Sequence, residues 1–355
     1  MRSDLRPCLP VAAAGAEDGV VSEGLDAEAR LHDLVPGLLS AIPRRAPNSV
    51  RRTSTTDIHH VHDGADALEL SGRARDLVTA DDGTVAVRRV AMLATRVGRG
   101  GAVTALRSHP DGEQVASLVG RPARAGFRTA TRAAVPEHAR SMTPLNQLLD
   151  EVPVAVLLSG FTNPERRSGA KSSAGMRADV CVGWRSDGPA MRELLRTGRV
   201  PVESGPPAPP LDVAGDRFAW HTAAHLRPGA MRRRRLLEVV SGPLVEAYSM
   251  FRDTYVDSDG TERVLHEYSL SATFDADLRV ASISASPGAL PFAQCPSAAG
   301  SAGHALGRRA EGLGDVVDRD LWGPATCTHL NDLLRVLGAV PGLVVLGRRD
   351  RGDRP

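Results

Sequence analysis

Two segments of this chain recur in the same order at nearly the same spacing. Arg75-Asp76-Leu-Val-Thr-Ala-Asp-Asp82-Gly83-Thr84 aligns without a gap on Arg252-Asp253-Thr-Tyr-Val-Asp-Ser-Asp259-Gly260-Thr261, an offset of 252 − 75 = 177. Thr143-Pro-Leu-Asn-Gln-Leu-Leu149 aligns on Thr328-His-Leu-Asn-Asp-Leu-Leu334, an offset of 328 − 143 = 185. A weaker third pair sets Arg51-Arg52 before Asp57-Ile58 against Arg232 to Arg235 before Glu238-Val239. One such match can arise by chance in a Leu- and Ala-rich chain, but two on nearly one diagonal point to an internal duplication. The copies differ where chemistry is expected: Met142 and Pro144 stand in the places of Cys327 and His329. One structural half and one functional half are therefore expected.

With 355 residues and 42% hydrophobic content, the chain has material for one large or two ordinary domains. Forty-four basic residues against 42 acidic ones make no global electrostatic case for nucleic acid or an anionic membrane. Lys171 is the only lysine, a bias that a GC-rich coding sequence explains without a phosphate-binding role. The first residues lack the continuous apolar stretch of a signal peptide. The longest apolar runs, Val152 to Leu158 and Val336 to Leu346, fall short of the roughly 18 residues a membrane span needs. A soluble, cytoplasmic protein is the expectation, and its four cysteines then read as thiols, metal ligands or buried side chains rather than disulfides.

Five segments follow along the chain. Residues 1–45 form a variable leader with one short helix at Leu25 to Leu39, and 46–160 hold the first, degenerate copy. Residues 161–230 comprise a polar loop, an island around Cys181 and a stiff Pro-rich linker at Val200 to Pro210, before the second copy at 231–346 and a charged tail at 347–355. In the first copy Leu68 to Leu106 alternates in polarity around Asp82-Gly83, a strong hairpin signal, and Leu145, Leu148, Leu149 and Val152 recur at helical spacing. The second copy predicts strands near Leu236 to Val240, Val245 to Tyr255, Arg263 to Phe274 and Leu278 to Ser286, then helices at Pro296 to Arg309, Leu313 to Val317 and Cys327 to Leu337. Strands followed by helices, twice over, predict an α+β fold of two pseudo-repeats, each an antiparallel meander with helices packed on one face. Their pseudo-two-fold association would mimic a homodimer within one chain.

Chemistry concentrates in the cysteines and histidines of the second copy. Cys295 precedes Pro296, which suits the first helical position, so Cys295 is expected at a helix N-cap. The stripe Leu330, Leu333, Leu334 and Leu337 places Cys327 at the next helix start, with Gly338 as a fitting stop. Thiols at such positions meet unsatisfied amides and the helix dipole, which favour a thiolate. His329, two residues on, converges with Cys327 only if Cys327 lies outside the first turn. Cys181 would complete a tetrahedral set of Cys181, Cys295, Cys327 and His329 for zinc or an iron cluster, although these spacings match no compact ligand motif. Small buried thiols are the plain alternative, and Cys8 in the leader is expected to be uninvolved.

Other polar features are weaker. His266 and Glu267, adjacent on a strand, point to opposite faces, so only one of them can join Asp253 in acid-base chemistry. Residues on a solvated sheet face are the simpler reading. The cluster His59-His60-Val-His62-Asp63 reads as an exposed loop. Arg232 to Arg235 could hold a phosphate or carboxylate, including that of a coenzyme A ester, but a solvated strand entrance is the safer reading in the absence of a Gly-rich phosphate loop.

At Pro291-Phe-Ala-Gln-Cys295 and Cys327-Thr-His-Leu330, preceded by the Asp253 strand and the Asp259-Gly260 hairpin, the chain resembles the bacterial domain-of-unknown-function family 2889. The resemblance covers about residues 231 to 340 and reaches the first copy only through the duplication. It implies a context of aromatic or lipid-like catabolism and names no reaction. A more distant likeness to U-type iron-sulfur scaffolds rests on the same Cys327-Thr-His-Leu330 start. Three functions remain open: an enzyme acting on a small-molecule substrate through Cys295, Cys327, His329 and Asp253; a metal or cluster carrier using Cys181, Cys295, Cys327 and His329; and a partner-binding protein with buried cysteines.

Overall fold

The computed structural model describes residues 38–61, 67–162, 178–198, 205–211, 213 and 215–350. The expected leader helix, Cys8, His62 with Asp63, the polar loop beyond Thr162 and the first part of the Pro-rich linker lie outside the described residues.

The hairpin signals hold in detail. Strands β2 (Ala67–Thr79) and β3 (Val85–Val97) turn through Asp82-Gly83, and β6 (Val245–Val256) and β7 (Glu262–Phe274) through Asp259-Gly260. Both glycines take a left-handed φ, +83° and +84°, which an L side chain resists. In each turn the aspartate Oδ1 accepts from the amide two residues on, Thr84 or Thr261, at 2.8 Å. With β1 (Ser49–Val61), β4 (Val103–His109), β5 (Met231–Val240) and β8 (Val280–Pro287), these form one antiparallel sheet ordered β4-β3-β2-β1-β5-β6-β7-β8. The chain is thus α+β, with eight α-helices among the described residues.

Register breaks fall at recurring places. A bulge follows Asp76 in β2, where Asp76 faces Arg89, and another follows Asp253 in β6, where Asp253 faces His266. The spacing is 253 − 76 = 177, the offset found in the sequence. The second pair of bulges, after Arg96 and after Thr273, is again 177 residues apart.

After β4 come α1 (Gly112–Val115), α2 (Phe127–Ala134), α3 (Pro136–Arg140) and α4 (Pro144–Leu158). Thr143 caps α4, its Oγ1 accepting from Asn146 N, and Pro144 takes the first helical position. Helix α4 lies across β1, β2 and β3 and buries Leu145, Leu148, Leu149 and Val152. Helix α5 (Pro189–Thr197) follows the Cys181 island. Beyond β8, Cys295–Ala305 is a 3₁₀ helix rather than the α-helix expected, capped by Gln294 rather than Cys295. Then come α6 (Leu313–Asp320), α7 (Thr328–Val336) and α8 (Val340–Asp350). Gly338 does not stop the helix: it sits in the 3₁₀ turn Leu337–Ala339 that joins α7 to α8. By length and composition Thr328–Asp350 could cross a membrane, but 72% of its apolar window is buried inside the protein, as in a core helix.

Among the described residues, the sheet's other face carries no helix. Residues 38–46, 205–211 and 215–223 cover its centre, with Ile42, Leu211 and Ala219 on Leu236 and Met250. The tail of the Pro-rich linker is docked, not free: Val264 N donates to Pro206 O and Ala208 N to Glu262 O.

Between these covers, β1 and β5 are buried on both faces although they read Arg-Arg-Thr-Ser-Thr-Thr-Asp and Arg-Arg-Arg-Arg. The expectation of a solvated entrance at Arg232 to Arg235 is therefore corrected: Arg232, Arg233 and Arg235 are each 4% exposed or less. Two ion pairs cross the β1–β5 junction reciprocally. Arg51 of β1 pairs with Glu238 of β5, and Arg232 of β5 pairs through both Nε and Nη2 with Asp57 of β1. Truncating one partner strands a buried charge, so Asp57→Ala should lower stability by about 3–5 kcal/mol. Urea unfolding followed by circular dichroism checks this, with the exposed Glu137→Ala on α3 as a control expected to leave the midpoint unmoved.

Candidate functional site

Asp253 of β6, His266 of β7 and His329 of α7 meet beneath the helices. Strand alternation aims Asp253 and His266 at the helical face, and Glu267 at the opposite face, where it pairs with Arg252 and accepts from Leu39 N. Adjacent residues thus point apart as expected, but neither face is solvated: His266 is 2% and Glu267 0% exposed. Cys327 is the N-cap of α7, which lies outside the first turn and lets His329 enter the same region.

Among the described residues, this trio is the one group of three or more histidine, cysteine or carboxylate side chains whose ligand atoms all lie within 4.8 Å of one another. The His266 and His329 rings stack with centroids 3.8 Å apart. His266 Nδ1 is 3.5 Å from Asp253 Oδ2, and Phe161 and Phe251 flank the ring pair. Asp253 Oδ1, His266 Nδ1 and His329 Nε2 are all buried without a hydrogen-bond partner.

The surrounding charges are tightly held. Arg233 donates to Asp253 Oδ2 at 3.2 Å and to Asp332 Oδ2 at 2.9 Å, tying β6 to α7. Arg235 also pairs with Asp332 and approaches Glu151 of α4, whose oxygens accept from Ser54 and Thr56. Burial, then Arg233, pushes His266 down to about 3. Burial, then His266, holds His329 well below its ordinary value. Both imidazoles are neutral at neutral pH, the form that ligates metals. Burial raises Asp253, with Arg233 opposing.

One route leads outward. A cleft of about 320 Å³ between α4 and α7 has His329 in its wall and an apolar rim of Leu157, Val180 and Trp322, the last 76% exposed. Arg128 and Arg335 line its far side.

Of the residues singled out from the sequence, Asp253 and His329 come together with His266, and Cys327 Sγ approaches His329 Nδ1 at 4.0 Å. Cys181, Cys295 and Cys327 all lie near Tyr268, whose hydroxyl donates to Cys295 O. The Cys181 island is pressed close: a Cβ at Gly183 would lie 2.9 Å from Cys295 Sγ and 2.8 Å from Phe292. No group within the 4.8 Å limit contains Cys181, Cys295, Cys327 and His329 together among the described residues. Nor does the environment favour thiolates, as the helix-start argument expected. Burial pushes Cys295, Cys327 and Cys181 all upward, outweighing the amides near each sulfur. His266 is the member whose burial was missed from sequence. Its available signal was its position 177 residues beyond Arg89, which likewise faces an aspartate ahead of a bulge. His59 and His60 belong to β1 rather than to an exposed loop.

Thiols held protonated and buried react slowly. Among the described cysteines, alkylation of the native protein with iodoacetamide, followed by mass spectrometry, should label half-buried Cys181 first and Cys295 and Cys327 about tenfold more slowly or less, until denaturant exposes them.

The comparisons bear on this half of the chain. Residues 231–341 match the model of a family described as "Protein of unknown function (DUF2889)". Nothing among curated proteins or solved structures matches the chain. The matched segment begins with β5 and carries Asp253, His266, Cys327 and His329. The likeness to the DUF2889 family thus rests on residues 231–341, the part of the chain that holds the Asp253–His266–His329 group.

Proposed function

We propose that Asp253, His266 and His329 hold a divalent zinc or iron ion, and that the protein is a metal-dependent enzyme acting on a small, largely apolar substrate. The observation that carries this reading is the set of three unpartnered buried atoms, Asp253 Oδ1, His266 Nδ1 and His329 Nε2, on side chains that converge. An orphaned buried polar atom costs about 1–3 kcal/mol, and a cation is a single partner able to serve all three. Two neutral histidines with one carboxylate suit zinc or non-haem iron and leave coordination positions open. Such an ion would supply Lewis acidity toward a bound oxygen.

This chain's own residues support that role. Arg233 occupies Asp253 Oδ2 and leaves Oδ1 available, while Asp332 balances the Arg233 charge. Cys327 Sγ lies 4.0 Å from His329 Nδ1, and a metal on Nε2 would require Nδ1 to carry the ring proton, facing that sulfur. The rim of Leu157, Val180 and Trp322 suits an aromatic or lipid-like molecule entering toward His329. A non-catalytic carrier would use the same ligands. The burial of Cys295 and Cys327 favours a packing role for both thiols.

We also infer that the chain is a duplication folded as a pseudo-dimer. The sheet order is symmetric about β1–β5, the bulges repeat at 177 residues, and Arg51–Glu238 matches Arg232–Asp57 at 232 − 51 = 238 − 57 = 181. On that reading Asp76, Arg89 and Pro144 are the counterparts of Asp253, His266 and His329, so the first half lacks a ligand set.

Elemental analysis of protein purified without chelators should find near-stoichiometric zinc or iron. His266→Ala and His329→Ala should lose it, and Cys295→Ala should keep it. A parent protein that takes up no metal even when zinc and ferrous ion are supplied would rule the centre out.

A further inference from the structure

Alternation along β5 sends Arg232 and Arg234 to the face of the sheet away from the helices and the candidate metal centre. The register there sets Arg73 of β2, Thr55 of β1 and Arg234 of β5 side by side, with Arg75 next to Thr53 and Asp57 next to Arg232 in the flanking rows. Residues 215–223 close over these rows. Trp220 Nε1 donates to Thr55 Oγ1 at 3.0 Å, His221 Nδ1 meets Thr53 Oγ1 at 3.2 Å, and Arg75 donates to Phe218 O at 2.7 Å. The result is a cavity of about 720 Å³ whose walls include Arg217, Arg232, Arg234, Phe218, Trp220 and His221. That volume lies within the usual range for small-molecule sites.

Its charge is lopsided. Among the described residues, the two carboxylates here are each gripped by two nitrogens of one arginine, Asp57 by Arg232 and Asp216 by Arg45. Among the described residues Arg73, Arg75 and Arg217 have no ion pair. His221 Nε2 and Arg75 Nε are buried with no hydrogen-bond partner. Burial first, then Arg75, Arg73, Arg234 and Arg232, pushes His221 down to about 3. Guanidinium groups in such number match a phosphate better than a single carboxylate, because each offers a planar fork to a multiply charged oxyanion. Beside them Trp220 and Phe218 offer flat apolar surface, with Trp220 fixed by its bond to Thr55.

We propose that this cavity is a binding site for a small organic phosphate, its anionic group taken by Arg217, Arg234 and His221 and its flat apolar body lying along Trp220 and Phe218. The site is separate from the Asp253–His266–His329 group and does not depend on a metal there.

Isothermal titration calorimetry of the full chain with phenyl phosphate, inorganic phosphate and benzoate tests it. Phenyl phosphate should bind most tightly, more weakly as salt rises, and Arg217→Gln/Arg234→Gln should weaken it about tenfold or more. His329→Ala should bind phenyl phosphate as the parent does, which separates this site from the metal reading. Should the double variant fail to fold, Arg217→Gln and His221→Ala singly carry the test, each expected to weaken binding. Absence of binding to the parent, equal affinity in folded variants, or benzoate binding as tightly as phenyl phosphate would overturn the proposal.

Discussion

The structure depends on a polar junction buried in the middle of its sheet. Arg51–Glu238 and Arg232–Asp57 cross from β1 to β5 in opposite senses, and Arg233 and Arg235 on the other face run into Asp253, Asp332 and Glu151. Removing that many charges from water is unfavourable unless each finds a well-placed partner. The consequence is specificity of register. A slip of one residue between β1 and β5 would turn every arginine to the wrong face and leave buried ions unmatched, where an apolar junction would lose only packing.

The candidate centre grows out of the same junction. Arg233 reaches from β5 to Asp253 on β6 and to Asp332 on α7, so the helix carrying His329 is tied to the strands carrying Asp253 and His266. In the first half, Asp76 is instead taken by Arg52 through both guanidinium nitrogens, with Arg89 at 3.7 Å. A carboxylate between two guanidinium groups is fully occupied. A carboxylate facing one guanidinium and two neutral imidazoles has an oxygen to spare. The difference between a structural and a chemically available aspartate therefore comes down to arginine or histidine on the neighbouring strand.

Much of this was legible in the residues. Asp82-Gly83 and Asp259-Gly260 marked both hairpins because only glycine fits the left-handed turn position cheaply. Leucine spacing placed α4 and α7, and Cys327 proved to be the N-cap it was expected to be. Other signals misled for identifiable reasons. Polar β1 and the Arg232 to Arg235 run lack apolar alternation because their faces are covered by charge partners distant in sequence. Gly338 looked like a helix stop, yet the chain continues through one tight turn because Leu337, Ala339 and Val340 are buried on both sides of it. The helix-start argument for reactive thiols failed because burial, which is not a local property, outweighed the local amides.

By itself the sequence determined the local geometry: where the chain turns and which segments alternate or recur with helical period. Those follow from short-range sterics and side-chain spacing, which neighbours in the chain carry with them. Only the tertiary structure decided that β1 and β5 pair, that their arginines are buried, and that His266 joins Asp253 and His329. These depend on contacts between residues tens to hundreds of positions apart, and on the loss of water around them, which gives a histidine or an arginine a different chemistry from the one its neighbours in sequence suggest.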